Sequence, residues 1–368
     1  MSTLKRLWDE HRQAVWLDFI DRRLLEDGTL VRLVEEDGLR GVTSNPSIFE
    51  KAMVESGQYD DAIDALLAER PGLSTGELYE ELAVSDIRAA ADVLRPVWEA
   101  SDAGDGFVSL EVSPHLALDT AGTVEEAQRL WRRVDRPNLM IKVPATAPGL
   151  PAVELLLAGG INVNVTLMFS LAHYDAVARA YLRGAERCQT PERLASVASF
   201  FVSRVDTAVD RTLEEIGTEE ALKLRGAAAV ANAALAYRRF EEIFHGDEFR
   251  PLAARGARVQ RPLWASTSTK NPAYRDVKYV EELIAPETVN TLPTATLDAF
   301  RDHGRPRAGL AEAAPHADEV VAALEGLGID LGAVTERLQV EGVDAFARSF
   351  DTLMARLDGT RSAHAAAR

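Results

Sequence analysis

The chain has 368 residues, of which 46% are hydrophobic and 27% charged, and its formal net charge is −17. Such a composition describes a soluble globular protein, and the acidity excludes a broad electropositive face for nucleic acid. Cys188 is the only cysteine, which excludes an internal disulfide and a cysteine-rich metal site.

Residues 1–14 read as a helical lead-in without an apolar h-region, so no signal peptide is expected. Nowhere do about 18 apolar residues run together, so no transmembrane helix and a cytoplasmic location are expected. The seven histidines lack H-x-x-x-H spacing, and neither a metal nor a cofactor is expected.

Short, nearly continuous apolar runs occupy residues 15–20 and 38–45. The following stretch, 46–106, is too long for one crossover and predicts several helices. One begins at the capping-box pattern Ser74-Thr75-Gly76-Glu77 and carries the stripe Leu78, Leu82, Ala90, Ala91, Leu94 and Trp98. Further runs lie at 107–113, 139–145, 161–169, 195–201, 262–267 and 289–293. Helix signals fall between them at Thr123-Val124-Glu125-Glu126, at Thr190-Pro191-Glu192 and over an Ala- and Glu-rich stretch, 218–244, read as one long helix.

After Pro293 only helical patterns remain. They span 294–358 and are placed on the barrel or over one of its ends, and a frayed, disordered tail covers 359–368. Apolar runs of this kind suit parallel strands covered by helices. Eight of them alternating with helices predict an α/β fold, a single-domain (β/α)8 barrel. An open doubly wound sheet is the alternative, but no G-x-G-x-x-G follows the first run and no Walker-type loop occurs.

Polar residues interrupt these runs: Asp18 in Val-Trp-Leu-Asp-Phe-Ile, Asn45 in Thr-Ser-Asn-Pro, Glu111 in Ser-Leu-Glu-Val, Lys142 in Met-Ile-Lys-Val-Pro, and Asn164 and Thr166 in Asn-Val-Asn-Val-Thr. Burying an ionisable group alone is costly, so each needs partners or a site. Asp18, Glu111 and Lys142 fall in the C-terminal halves of separate runs, the end of a barrel where chemistry sits. Free lysine has a pKa near ~10.4 and is almost wholly protonated at neutral pH, but a barrel interior disfavours the ammonium. An uncharged Lys142 can attack a ketone and form an iminium, an electron sink that permits cleavage of the adjacent C–C bond without a metal. Asp18 and Glu111 can move the protons, with Thr166 holding a water.

The stretches Trp16-Leu17-Asp18, Gly41-Val42-Thr43-Ser44-Asn45-Pro46, Ile141-Lys142-Val143-Pro144-Ala145-Thr146, Ser199-Phe200-Phe201-Val202-Ser203-Arg204 and Ala265-Ser266-Thr267-Ser268-Thr269-Lys270 resemble the transaldolases. The resemblance runs in order over about residues 10–300. It implies a class I aldolase barrel that moves a dihydroxyacetone unit from sedoheptulose 7-phosphate to glyceraldehyde 3-phosphate, in the non-oxidative pentose phosphate pathway. It implies Lys142 as the Schiff-base lysine, Asp18 as the general acid/base, and Glu111 with Thr166 as holders of the catalytic water. Asn45, Asn164, Ser199 and Phe201 are implied around the dihydroxyacetone part, and Arg204 and Ser266 at the phosphate. Many relatives place an arginine close after Ser266, where this chain offers Lys270, which keeps the charge and loses the bidentate fork.

Two other functions stay open from sequence: an aldolase acting on fructose 6-phosphate and a non-catalytic sugar-phosphate binder. The assembly is a monomer or a homodimer, and no membrane partner is expected. Arg204 and Asp206 have an alternative reading as a surface pair, and structural roles are read for His115 and His173.

Overall fold

The computed structural model describes residues 2–55 and 57–366. Its strands are β1 (Ala14–Leu17), β2 (Gly41–Thr43), β3 (Phe107–Glu111), β4 (Leu139–Pro144), β5 (Val163–Met168), β6 (Ser196–Phe201), β7 (Arg261–Ala265) and β8 (Val289–Leu292). Each of the eight apolar runs holds one of them. All pair in parallel with their sequence neighbours, and β1 pairs with β8, so the sheet closes and the open alternative falls. Apart from Arg261, every strand residue is buried, as expected where helices cover the outside and side chains fill the inside.

At the end of the barrel where strands begin, Asp105 gathers three donors. Its carboxylate lies 2.8 Å from Arg40 Nε and 3.3 Å from Arg261 Nη2, and it accepts from Trp16 Nε1 at 2.9 Å. The Trp16 ring lies so close to β2 that a Cβ on Gly41 would sit 2.4 Å from it. That contact admits only glycine and fixes how β1 and β2 meet.

The helix Thr75–Ala100 starts at the predicted capping box on Ser74. Other predicted starts shift. The helix after β3 begins at Thr120, capped by Asp119, so Thr123 lies inside it and donates instead to Leu116 O at 2.9 Å. Thr190-Pro191 opens only a 3-10 turn, Pro191–Arg193.

The predicted single helix over 218–244 is two, Glu219–Lys223 and Ala228–Phe244. Between them Gly226 adopts φ +73° against the Tyr274 ring and donates its N–H to Asp210 Oδ1 at 2.9 Å. Tertiary contacts there override the helix propensity of the flanking residues.

The lead-in forms the helix Thr3–His11. After β8 come Thr294–His303, Ala317–Gly326 and a last helix, Leu331–Ala366. The last one carries residues 359–366 in helix where a disordered tail was expected; residues 367–368 lie outside those described. It crosses the barrel mouth, where Gln339 Nε2 donates to Ala145 O at 3.1 Å and Leu167 O at 3.0 Å, and Ser47 Oγ donates to Ser349 Oγ at 2.8 Å.

Burial would raise the Asp105 carboxyl, but the Arg261 and Arg40 guanidiniums outweigh it and hold the group below the usual carboxylate range. Asp105→Ala leaves two mostly buried guanidiniums unpaired and is expected to destabilise the fold by about 3–5 kcal/mol in urea titrations at neutral pH. A group whose folded pKa is depressed stabilises above its unfolded value, near ~4, and that contribution is lost as pH falls. The gap between wild type and variant should therefore narrow below about pH 4. A gap that stays constant between pH 7 and 3 would contradict this role.

Candidate active site

Glu111, Lys142 and Asn164 face one another in register across β3, β4 and β5. Strand side chains alternate, so this register sends all three into the barrel. Lys142 is only 5% exposed. Its Nζ donates to Ser44 O at 2.9 Å and lies 3.3 Å from Glu111 Oε2. Asp18 follows β1 by one residue and is anchored by its N–H to Leu292 O at 2.8 Å. Its Oδ1 accepts from Thr43 Oγ1 at 2.7 Å, and that hydroxyl in turn lies 2.7 Å from Thr291 Oγ1.

Burial raises the Asp18 carboxyl, while the Lys142 charge and then the Thr43 hydrogen bond pull it partly back. Burial likewise raises Glu111; Lys142 opposes the shift, and the nearby Asp18 charge adds to it. Two carboxyls raised above their ordinary range beside one buried amine suit proton transfer.

Thr166, opposite Pro144 in register, has a buried hydroxyl without a hydrogen-bond partner among the described residues, while Glu111 has its ion pair with Lys142. Buried polar atoms are nearly always paired, so unpaired ones beside a reactive group mark a place for a ligand or water. The next residue, Leu167, has φ +60°, and the β5–β6 register breaks between Val165 and Met168. A non-glycine residue in that region stores about 1–3 kcal/mol of strain. The kink turns Leu167 O to the last helix, where Gln339 holds it.

A cavity of about 290 Å³ opens above this cluster. Asp18, Lys142, Asn45, Thr166, Ser199 and Phe201 line its floor and sides, and Arg204, Ser266 and Lys270 line it farther out. Arg204 stands at the start of the helix Ser203–Ile216. Its guanidinium lies over the Phe201 ring at 5.4 Å, and Glu341, the carboxylate that acts on it, sits 3.7 Å from Arg337 instead. Burial lowers its pKa, and Glu341 partly offsets this. A half-buried cation with no direct ion pair can take an anion.

Ser266, at φ +56°, shares a 3.0 Å hydroxyl contact with Ser203. Lys270 is exposed and donates to Ser268 Oγ at 2.7 Å. Asp206 is not a surface partner of Arg204: it is buried, accepting from Tyr279 Oη and Ala229 N at 2.7 Å each.

Asn45 Oδ1 caps the helix Pro46–Glu50 through Ile48 N at 3.0 Å, which leaves its N–H2 for a ligand. Asn164 lies deeper and does not line the cavity. Its amide donates to Ser109 Oγ at 3.0 Å and accepts from Ser199 Oγ at 2.6 Å. Four residues at the site escaped sequence reasoning. Thr43 and Thr291 look like ordinary strand positions, Lys51 like a solvated helix residue, and Phe346 comes from the last helix to close the rim. His115 and His173 meet Asp351 and Glu336, both on the last helix.

The sequence model of the Transaldolase/Fructose-6-phosphate aldolase family matches residues 15–357. The chain belongs to this family. It is 52% identical over 349 residues to a transaldolase of Thiobacillus denitrificans, covering 94% of this chain and 97% of that one. It is 51% identical over 360 residues to a transaldolase of Thermobifida fusca, covering 95% and 96%. It is also 51% identical over 363 residues to transaldolase 1 of Streptomyces coelicolor, covering 96% and 93%. Among the described residues no cluster of three or more metal-binding side chains occurs, and no helix is long and apolar enough to cross a membrane.

Thr43→Val removes the hydrogen bond that favours ionised Asp18. If Asp18 acts as a base, the acid limb of the kcat/KM profile of this family member should move to higher pH, by roughly one unit. A limb that stays put or moves to lower pH would contradict the assignment.

Proposed function

We infer that this chain is a transaldolase, a transferase that carries a dihydroxyacetone unit between sugar phosphates through a Schiff base on Lys142. The single observation that carries the reading is the buried Lys142 amine 3.3 Å from Glu111, in the same cavity as Asp18.

In this reading the Lys142 amine adds to the C2 carbonyl of the ketose phosphate. Glu111, with a water held against Thr166, moves the protons as the carbinolamine loses water to become an iminium. Asp18 then takes the proton from the C4 hydroxyl. The C3–C4 bond breaks, its electron pair flows into the iminium, and the aldose phosphate leaves. The remaining enamine adds to the aldehyde of the acceptor, Asp18 returns its proton to the new hydroxyl, and hydrolysis frees the amine.

Asn45 and Ser199 hold hydroxyls of the three-carbon unit, with Asn164 keeping Ser199 in place. Arg204 and Ser266 take the phosphate, with Lys270 as a second cation beyond them. Sedoheptulose 7-phosphate and glyceraldehyde 3-phosphate are the proposed substrate pair, and the cytoplasm the proposed location. No cofactor enters this sequence of steps.

Borohydride added with fructose 6-phosphate is expected to attach the three-carbon unit to the peptide bearing Lys142, and Lys142→Ala is expected to fold and lose turnover. An unmodified peptide, or a tenth of the activity surviving in the variant, would refute the reading.

Arg204→Ala is expected to raise KM for phosphorylated sugars about 10- to 100-fold, the worth of a charge-assisted hydrogen bond. Unphosphorylated analogues should change little. Equal effects on both would refute the phosphate assignment.

A further inference from the structure

A second cavity, of about 500 Å³, lies between the ends of β2 and β3 and the helices Thr75–Ala100 and Thr120–Val134. The steps above leave it without a role. Its inner wall includes Glu111 and Ser44, and Asn45 lines both cavities. Ser44 gives its carbonyl to Lys142 Nζ, and Glu111 lies against the same nitrogen. The partition between the two spaces is therefore the reactive pair itself. The far wall reaches the surface at the exposed residues Gly76, Glu77 and Arg129.

Three observations concern what this space serves. Glu111 stands in the wall of this cavity, its two oxygens buried and partnered only by the Lys142 ion pair among the described residues. Glu126 also lines it, raised by burial and accepting Ser113 N at 2.8 Å. Tyr79 stands in the same wall, its phenol pushed up by burial and then by the Glu111 and Glu126 charges. One acid, Glu126, and one phenol, Tyr79, thus share the cavity wall with Glu111.

The chemistry supplies the need. Forming the iminium expels one water made from the ketone oxygen and two protons, and hydrolysis adds one water back, giving ketone and ammonium. At both moments the sugar occupies the front cavity.

We propose that the second cavity is the water and proton route to Glu111, through which the expelled water leaves and the hydrolytic water arrives. This rests on the Schiff-base reading above. It separates the entrance for solvent from the entrance for sugar, so the three-carbon intermediate meets an acceptor aldehyde on one side and water on the other.

The test follows one oxygen atom. Fructose 6-phosphate carrying 18O at C2 is turned over with erythrose 4-phosphate, and the product ketose is examined for label. In wild type the label leaves as water and the product holds solvent oxygen. Gly76→Trp places a ring at the mouth of the cavity, where a Cβ meets no heavy atom within 4 Å. Ala83→Leu fills the cavity deeper in, should the first variant fold poorly.

Either plug is expected to retain label in the product at several times the wild-type fraction and to lower kcat, with KM for both sugars nearly unchanged. Label lost as completely as in wild type, by plugged protein of native circular dichroism, would overturn the route. Borohydride trapping of wild type separates the two failures. Without trapping the Schiff-base reading falls; with trapping and unchanged label loss only the route falls.

Discussion

An amine and two carboxyls held within the dry interior of one barrel end set the terms for the rest of this structure. Charged groups in such surroundings are costly unless partnered, and the cost rises with each one added. Lys142 meets it with the Ser44 carbonyl and Glu111, and Asp18 with the Thr43–Thr291 hydroxyl pair. None of these partners neutralises the cluster fully, and both carboxyls remain above their ordinary range. That residual instability is useful: groups that ionise with difficulty exchange protons readily with a substrate.

The closed sheet is what makes such a cluster possible. Parallel pairing brings Glu111, Lys142 and Asn164 into one row, and the register of three strands replaces any need for local sequence proximity. At the opposite end Asp105, tied to Arg40, Arg261 and Trp16, spends its charge on cohesion. The contrast between Asp105, lowered by two guanidiniums, and Asp18, raised by burial, shows how one residue type serves two ends of a barrel. The last helix completes the mouth: it grips the kinked carbonyl of Leu167 through Gln339 and sets Phe346 on the cavity rim.

Much of this was legible in the amino-acid order. The eight strands were visible because parallel strands buried on both faces need long apolar runs, and Asp18, Glu111 and Lys142 stood out by breaking them. The role of Arg204 is visible only through resemblance. What stayed hidden depended on contacts distant in sequence. Gly226 breaks the 218–244 helix because Asp210 and Tyr274 lie beside it, which no local pattern reveals. Thr43 and Thr291 meet across 248 positions, and the carbonyl of Ser44 carries no residue signature at all. The links of the Asn164 amide to Ser109 and Ser199 likewise join positions far apart in the chain. Composition points to a frayed end of the chain, yet helix continues through residues 359–366, as the long helix that crosses the barrel mouth runs on.

The place of a trapped sugar tests the role of Lys142 most directly. A crystal structure of the borohydride-reduced complex with fructose 6-phosphate should show unbroken density from Lys142 Nζ to C2 of the three-carbon unit. Glu111 and Thr166 should flank that carbon, and Asp18 should lie beside C3, where the C–C bond is cut. Density that leaves Lys142 bare, or joins the sugar to another side chain, would contradict the role of the buried amine.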